Sequence, residues 1–169
     1  MLSCYNNFIK NQLIIIAKEN QVCVSCLKKK PISTDKAPKA IGPYSAAVST
    51  DQMVFTSGQL GMDPASGALV KGGIQAQTRQ ALTNLKFVLE AGDTNLDNVV
   101  KVTVFLQDMG EFSLMNEVYA EFFKKDCPAR SAVQVAALPK NAAVEIEAIA
   151  IIPYKDADYD CHQEKWAEN

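Results

Sequence analysis

The chain has 169 residues, 48% hydrophobic and 21% charged, with a formal net charge of −2. That length suits one domain able to bury roughly two thirds of its unfolded surface without disulfides or a metal, and no apolar run approaches the ~20 residues of a membrane span. Charge is uneven: five Lys and one acid fall in residues 1–34, ten basic and thirteen acidic groups in 35–153, and two basic and five acidic in 154–169. The part expected to fold therefore lacks the positive excess with which proteins neutralise phosphates, which argues against nucleic acid as a partner.

Residues 1–34 read as an N-terminal extension. The stretch has few acids and several Lys, and its apolar run Leu13–Ile16 is too short to cross a bilayer. A presequence is one expectation; the absence of Arg from the segment counts against it, so location is expected to be cytoplasmic or mitochondrial. The five cysteines, Cys4, Cys23, Cys26, Cys127 and Cys161, form an odd set that fits a reduced interior better than a disulfide framework. Cys23 and Cys26 form a CxxC pair, but half a zinc site needs a second pair and the chain offers none.

Next come two short strand-like runs, Tyr44 to Ser49 and Met53 to Ser57, then a turn cluster from Asp63 to Gly67, with Leu69-Val70 able to continue the pairing. From Ile74 to Ala91, apolar residues at Ala81, Leu82, Leu85, Val88 and Leu89 keep helical spacing, and Gly92 supplies a stop. Val100, Val102, Val104 and Leu106 alternate with Lys101, Thr103, Phe105 and Gln107, the period of a strand. Phe112, Met115, Val118, Tyr119, Phe122 and Phe123 return to spacings of three and four, and Pro128 must follow that helix rather than extend it.

Two more strand-like stretches, Ser131 to Leu138 and Ala143 to Ile152, are joined by Pro139-Lys140-Asn141 and read most simply as a hairpin. The order predicts an α+β domain over residues 35–153, a two-layer mixed sheet with two helices on one face. Residues 154–169 are acidic and aperiodic apart from Trp166, and are expected to be a tail. The last strand puts Val144, Ile146, Ala148 and Ala150 on one side and Glu145, Glu147, Ile149 and Ile151 on the other. Apolar residues on both faces, with helices for only one, point to a face covered by other subunits.

Chemistry is narrowed by what is missing. The sole His, His162, lies in the tail, so the folded part has no Ser-His or Cys-His device. Thr56 to Gly61 contains two glycines but no phosphate-loop spacing, and by itself reads as a strand-end turn. Arg79 and Arg130 are the only arginines. Arg79 sits in the first helix as a surface residue. Arg130 precedes an apolar strand, where a guanidinium either forms an ordinary salt bridge or offers a two-pronged grip on a carboxylate. Glu145 lies inside an apolar strand, where an ionised carboxylate is costly unless something binds it. A hairpin about Lys140 would separate Arg130 from Glu145 by roughly 20 Å at ~3.3 Å per residue, so a site using both would draw them from different subunits.

Five segments together carry a specific likeness: Ile41-Gly42-Pro43-Tyr44, Thr56-Ser57-Gly58-Gln59, Val102 to Leu106, Pro128-Ala129-Arg130-Ser131 and Val144 to Ala150. Over about residues 35–153 the chain resembles the RidA/YjgF/UK114 family of enamine/imine deaminases. The resemblance implies a chorismate-mutase-like fold, a homotrimer, and three clefts between subunits that take small 2-imino acids of amino-acid metabolism. It also implies that Arg130 grips the substrate carboxylate, that Glu145 positions or activates water, and that Tyr44, Ser57, Gly58 and Asn116 line the cleft. At Ala132 bacterial relatives often carry cysteine, so thiol chemistry is not expected there. No cofactor is expected, since a 2-imino acid is already electrophilic. Two rival readings remain at this level: a ribonuclease or translation inhibitor, and a non-catalytic carboxylate-binding or chaperone-like trimer.

Overall fold

A computed structural model of the protein describes residues 29–153. The Cys23/Cys26 pair, most of the N-terminal extension, and the tail with His162 and Trp166 lie outside the described residues. Among the described residues no helix is long and apolar enough to cross a membrane.

The described chain forms β1 (Lys30–Ile32), β2 (Ala47–Ser49), β3 (Met53–Thr56), β4 (Gln59–Leu60), α1 (Gly73–Ala91), β5 (Val99–Leu106), α2 (Phe112–Phe122), β6 (Ala129–Gln134) and β7 (Val144–Ile151). One sheet runs in the order β1-β2-β3-β7-β5-β6, with β4 also on β7. Only β5 and β6 pair in parallel; the other pairs are antiparallel. The fold is the expected α+β two-layer arrangement. Its sheet also takes in the last residues of the stretch that composition set apart, because β1 pairs with β2 and Ile32 is buried in the core.

Both helices form where periodicity places them. Gly92 ends α1, its N–H returning to Leu89 O, and a side chain there would collide with Ile32 and Val54. The buried stripe Leu82, Leu85, Val88 and Leu89 meets Val102, Val104 and Leu106 of β5 and Val144, Ile146, Ala148 and Ala150 of β7. From α2, Met115 and Tyr119 join the same core, with Phe123 just past its end. On the solvent side Arg79 of α1 forms an ion pair with Glu121 of α2, and Gln75 donates to Glu117 at 3.0 Å, so polar contacts bridge the helices above the apolar layer.

The sequence reading of the C-terminal strands needs a correction. Ser131–Leu138 and Ala143–Ile152 do not form a hairpin. The first is shortened to Ala129–Gln134 and lies parallel to β5 at the sheet edge, and β5 stands between it and β7. The connection explains the outcome: α2 carries the chain back over the sheet, the usual route to a parallel neighbour. The interior slot then goes to β7, whose apolar residues on both faces suit a central strand. Likewise the first run, Tyr44 to Ser49, is a strand only from Ala47, and Tyr44 belongs to the preceding loop.

Candidate active site

Strand register decides which predicted residues can meet. Arg130 is opposite Val102, which is fully buried beneath the helices, so Arg130 projects from the helix-covered face. Glu145 is opposite Phe105, on strand positions that alternate with the buried ones, so it projects from the other face. With one strand between them and a three-residue offset, their Cα atoms stand about 14 Å apart, from the usual strand spacing and rise. One protomer thus holds the two groups on opposite sides of its own sheet.

The Glu145 side is built around a break in a strand. β3 and β4 both pair with β7, but the four steps from Phe55 to Gln59 match only three from Ile149 to Ile146. The extra residue is absorbed at Ser57-Gly58 as a bulge, a device that bends a strand and re-aims its side chains. Ser57 Oγ donates to Ser45 O at 2.7 Å, and its N–H donates to Ala46 O at 2.9 Å, which fixes the bulge against the loop carrying Tyr44. A methyl group on Gly58 would lie 1.8 Å from Glu145 Oε1. Only glycine lets the carboxylate lie in this position.

Tyr44, Gly58 and Glu145 line one cavity with Pro38, Lys39, Ala40, Ile41, Gln59 and Pro139. Tyr44 is half exposed, and its hydroxyl accepts the Ile41 N–H at 3.3 Å. Burial raises the Glu145 carboxyl above its ordinary value, and the charge of neighbouring Glu147 raises it further. A carboxylate held with an elevated proton affinity beside a cavity is suited to accept and return a proton.

The Arg130 side lies at the free edge of the sheet. Its guanidinium sits over the Tyr119 ring, 4.3 Å from the centroid, and 5.6 Å from that of Phe112. Among the described residues no carboxylate lies within ion-pair distance of it. Phe112, Asn116 and Tyr119 are spaced i, i+4 and i+7, one stripe of α2, so Asn116 stands between the two rings and is exposed. Ala132, two residues along β6 from Arg130, faces the same side and packs on the core edge. Burial pushes the Tyr119 hydroxyl up to about 12, against the opposing pull of the Arg130 charge. Cys127 turns to the end of α2, its Sγ 3.5 Å from Phe123 O.

The expected residues therefore fall into two groups. Tyr44, Ser57, Gly58 and Glu145 form one; Arg130, Asn116 and Ala132 form the other. The model of the family described as Endoribonuclease L-PSP matches residues 34–152. The chain belongs to this family, the RidA/YjgF/UK114 proteins. As a member, it is 56% identical over 128 residues to a Bos taurus protein named 2-iminobutanoate/2-iminopropanoate deaminase, covering 76% of this chain and 93% of that protein. The Homo sapiens protein of the same name is 52% identical over the same shares. A solved structure from Thermotoga maritima matches the fold with a TM-score of 0.73 at 53% identity, covering 75% of this chain and all of the other.

Sequence reasoning missed the two aromatic neighbours of Arg130 in this RidA-family chain. Phe112 and Tyr119 were legible as helix residues, but their spacing equally describes core packing, and nothing local ties them to position 130. It also missed the Pro38–Ile41 wall of the cavity, which lies in a loop without periodicity.

Proposed function

We propose that this chain hydrolyses reactive 2-imino acids and their enamine tautomers, 2-iminobutanoate and 2-iminopropanoate among them, to 2-oxo acids and ammonia. It is read as acting in a homotrimer whose sites lie between subunits. The single observation that carries the assembly is the placement of Arg130 and Glu145 on opposite faces of one sheet: a substrate a few ångströms long touches both only if two protomers contribute. The apolar side chains left on the helix-free face, Phe55, Val133 and Ile151, are each more than 40% exposed in the single chain and supply a surface for such an assembly. The named activity of the bovine and human relatives supports the chemistry.

In this reading Arg130 of one subunit takes the substrate carboxylate through paired N–H donors, which fixes the imine carbon relative to the Glu145 cavity of the next. Glu145 removes a proton from water as oxygen bonds to C2, and the C=N electron pair moves onto nitrogen, which takes up a proton. In the resulting carbinolamine the Glu145 carboxyl passes its proton to the amino nitrogen as the C–N bond breaks and takes up the hydroxyl proton as C=O forms, leaving a 2-oxo acid and ammonia. The imine carbon is electrophilic without further activation, so the sequence needs only orientation and one acid–base group. Tyr44, Ser57, Gly58, Asn116 and Ala132 are proposed to shape the cleft. Location in cytoplasm or mitochondrion belongs to the proposal as well, and the mature N-terminus in fractionated cells decides it.

The test is release of ammonia and 2-oxo acid from freshly generated 2-iminobutanoate, corrected for spontaneous hydrolysis. Wild type is expected to accelerate it and Arg130→Ala to lose the effect; a folded wild-type protein without acceleration moves a carboxylate-binding, non-catalytic role to first place. The matched family's description keeps RNA cleavage as a second reading. The ten basic and thirteen acidic groups of residues 35–153 oppose it. Salt-sensitive retention of RNA, followed by its cleavage, would restore that reading.

A further inference from the structure

Arg130 lies on an edge strand, at the end of a long flexible side chain, yet a two-pronged grip requires its plane to be set before the ligand arrives. Proteins often fix such a guanidinium with a carboxylate, but that consumes the donors the ligand needs. Here no described carboxylate does so. The guanidinium instead lies over the ring of Tyr119, 4.3 Å from its centroid. A ring engages the flat face of a guanidinium and leaves in-plane N–H donors for a ligand.

Tyr119 is itself immobilised. Phe123 stacks on it with centroids 4.6 Å apart and 28° between planes. Phe123 and Arg130 thus both bear on the one ring. Tyr119 is only 6% exposed, and its hydroxyl is buried beside the Arg130 guanidinium, a contact whose geometry falls short of a full hydrogen bond among the described residues. The charged group beside that hydroxyl is Arg130, which acts on its proton affinity against burial. The hydroxyl is too enclosed to touch a substrate, so any effect it has on catalysis passes through the arginine.

We infer that Tyr119 is a positioning residue: stacked with Phe123, its ring holds the Arg130 guanidinium flat, with its hydrogen-bonding edge directed at the substrate carboxylate. The inference rests on the reading of Arg130 as the carboxylate grip, and it adds a specificity device that neither the family resemblance nor the relatives' names supply.

The experiment compares KM and kcat for 2-iminobutanoate in wild type, Tyr119→Phe and Tyr119→Leu, and the dissociation constant of 2-oxobutanoate by titration calorimetry in these three, in Arg130→Ala and in the Tyr119→Leu/Arg130→Ala double variant. Tyr119→Leu is expected to raise KM and the dissociation constant about 3- to 30-fold, the range of a cation–ring contact, and to change kcat much less. Tyr119→Phe, which keeps the ring, should stay within about twofold for the same reason. In the Arg130→Ala background the leucine change should add nothing. If Tyr119→Leu melts early, Tyr119→Met replaces it, filling similar space without a ring. A folded Tyr119→Leu or Tyr119→Met protein with wild-type KM, or an equal effect of the leucine change with and without Arg130, overturns the inference while leaving the grip intact. An unchanged 2-oxobutanoate dissociation constant in Arg130→Ala overturns the grip and the inference together.

Discussion

In the proposed mechanism Glu145 ties function and stability together with opposite signs. Burial and Glu147 raise its proton affinity in the folded chain, so the folded state holds that proton more tightly than the unfolded one. The contribution of this group to stability is then fully present below the ordinary carboxylate range and is lost as pH rises through the raised value. Glu145→Gln is expected to lower kcat ~10²–10⁴-fold by removing the acid–base group, yet to melt higher than wild type near pH 7; a lower Tm would show that the carboxylate is stabilised by something other than its proton. The rate should rise with pH as Glu145 ionises. Glu147→Gln should move that acidic limb to lower pH, which a pH–rate profile of the variant reads directly. At Gly58 a methyl group meets Glu145 Oε1 at 1.8 Å, so Gly58→Ala is expected to cost activity ~10²-fold by displacing the carboxylate, and Gly58→Ala/Glu145→Gln should be little worse than Glu145→Gln alone.

At the scale of elements, the hold of α1 on the bulged strand rests on one buried amide. Asn84 donates to Leu60 O at 3.1 Å and to Met62 O at 2.8 Å, and it accepts from Gln80 Nε2 at 2.9 Å. Leu60 O keeps the Met62 N–H at 2.8 Å, so Asn84→Ala strips the Met62 carbonyl of its amide donor and is expected to cost about 1–3 kcal/mol by the usual penalty, visible as a lower Tm in thermal melts. Asn84 passed unnoticed in the sequence because a polar residue in an amphipathic helix ordinarily faces water.

The elements that were legible are those whose period decides them: the helix over Ile74–Ala91, the alternation through Val100–Leu106 and the second helix before Pro128 all stand where the sequence puts them. Pairing was not legible. Alternation tells which residues share a face, never which strand lies alongside, and the short loop Pro139–Asn141 suggested a hairpin that β5 pre-empts. The strands of two and three residues, β4 and β1, are too short to carry a period at all. For the proposed site, motif likeness singled out Arg130, Glu145, Tyr44 and Gly58, whereas Tyr119 waited for the helix to be laid over the sheet.

At the scale of the molecule, the proposed trimer makes a prediction that single variants cannot. Arg130→Ala and Glu145→Gln each spoil one half of every site, but the damage lies in different halves. Trimers refolded from an equal mixture should carry an intact pair, arginine from one parent and glutamate from the other, at about a quarter of their sites. Activity returning from two inactive preparations on mixing is the expected outcome, and a mixture as inactive as its parents argues for a site within one chain.

The division of Arg130 and Glu145 between the two faces of one sheet also sets how rate scales with amount. In the proposed trimer a lone protomer owns two unmatched halves and no complete catalyst. At concentrations where subunits separate, specific activity should therefore fall with dilution and the plot of rate against protein should curve upward. Newly made chains would stay chemically silent until they find one another, so that catalytic capacity tracks the assembled population rather than the number of chains produced.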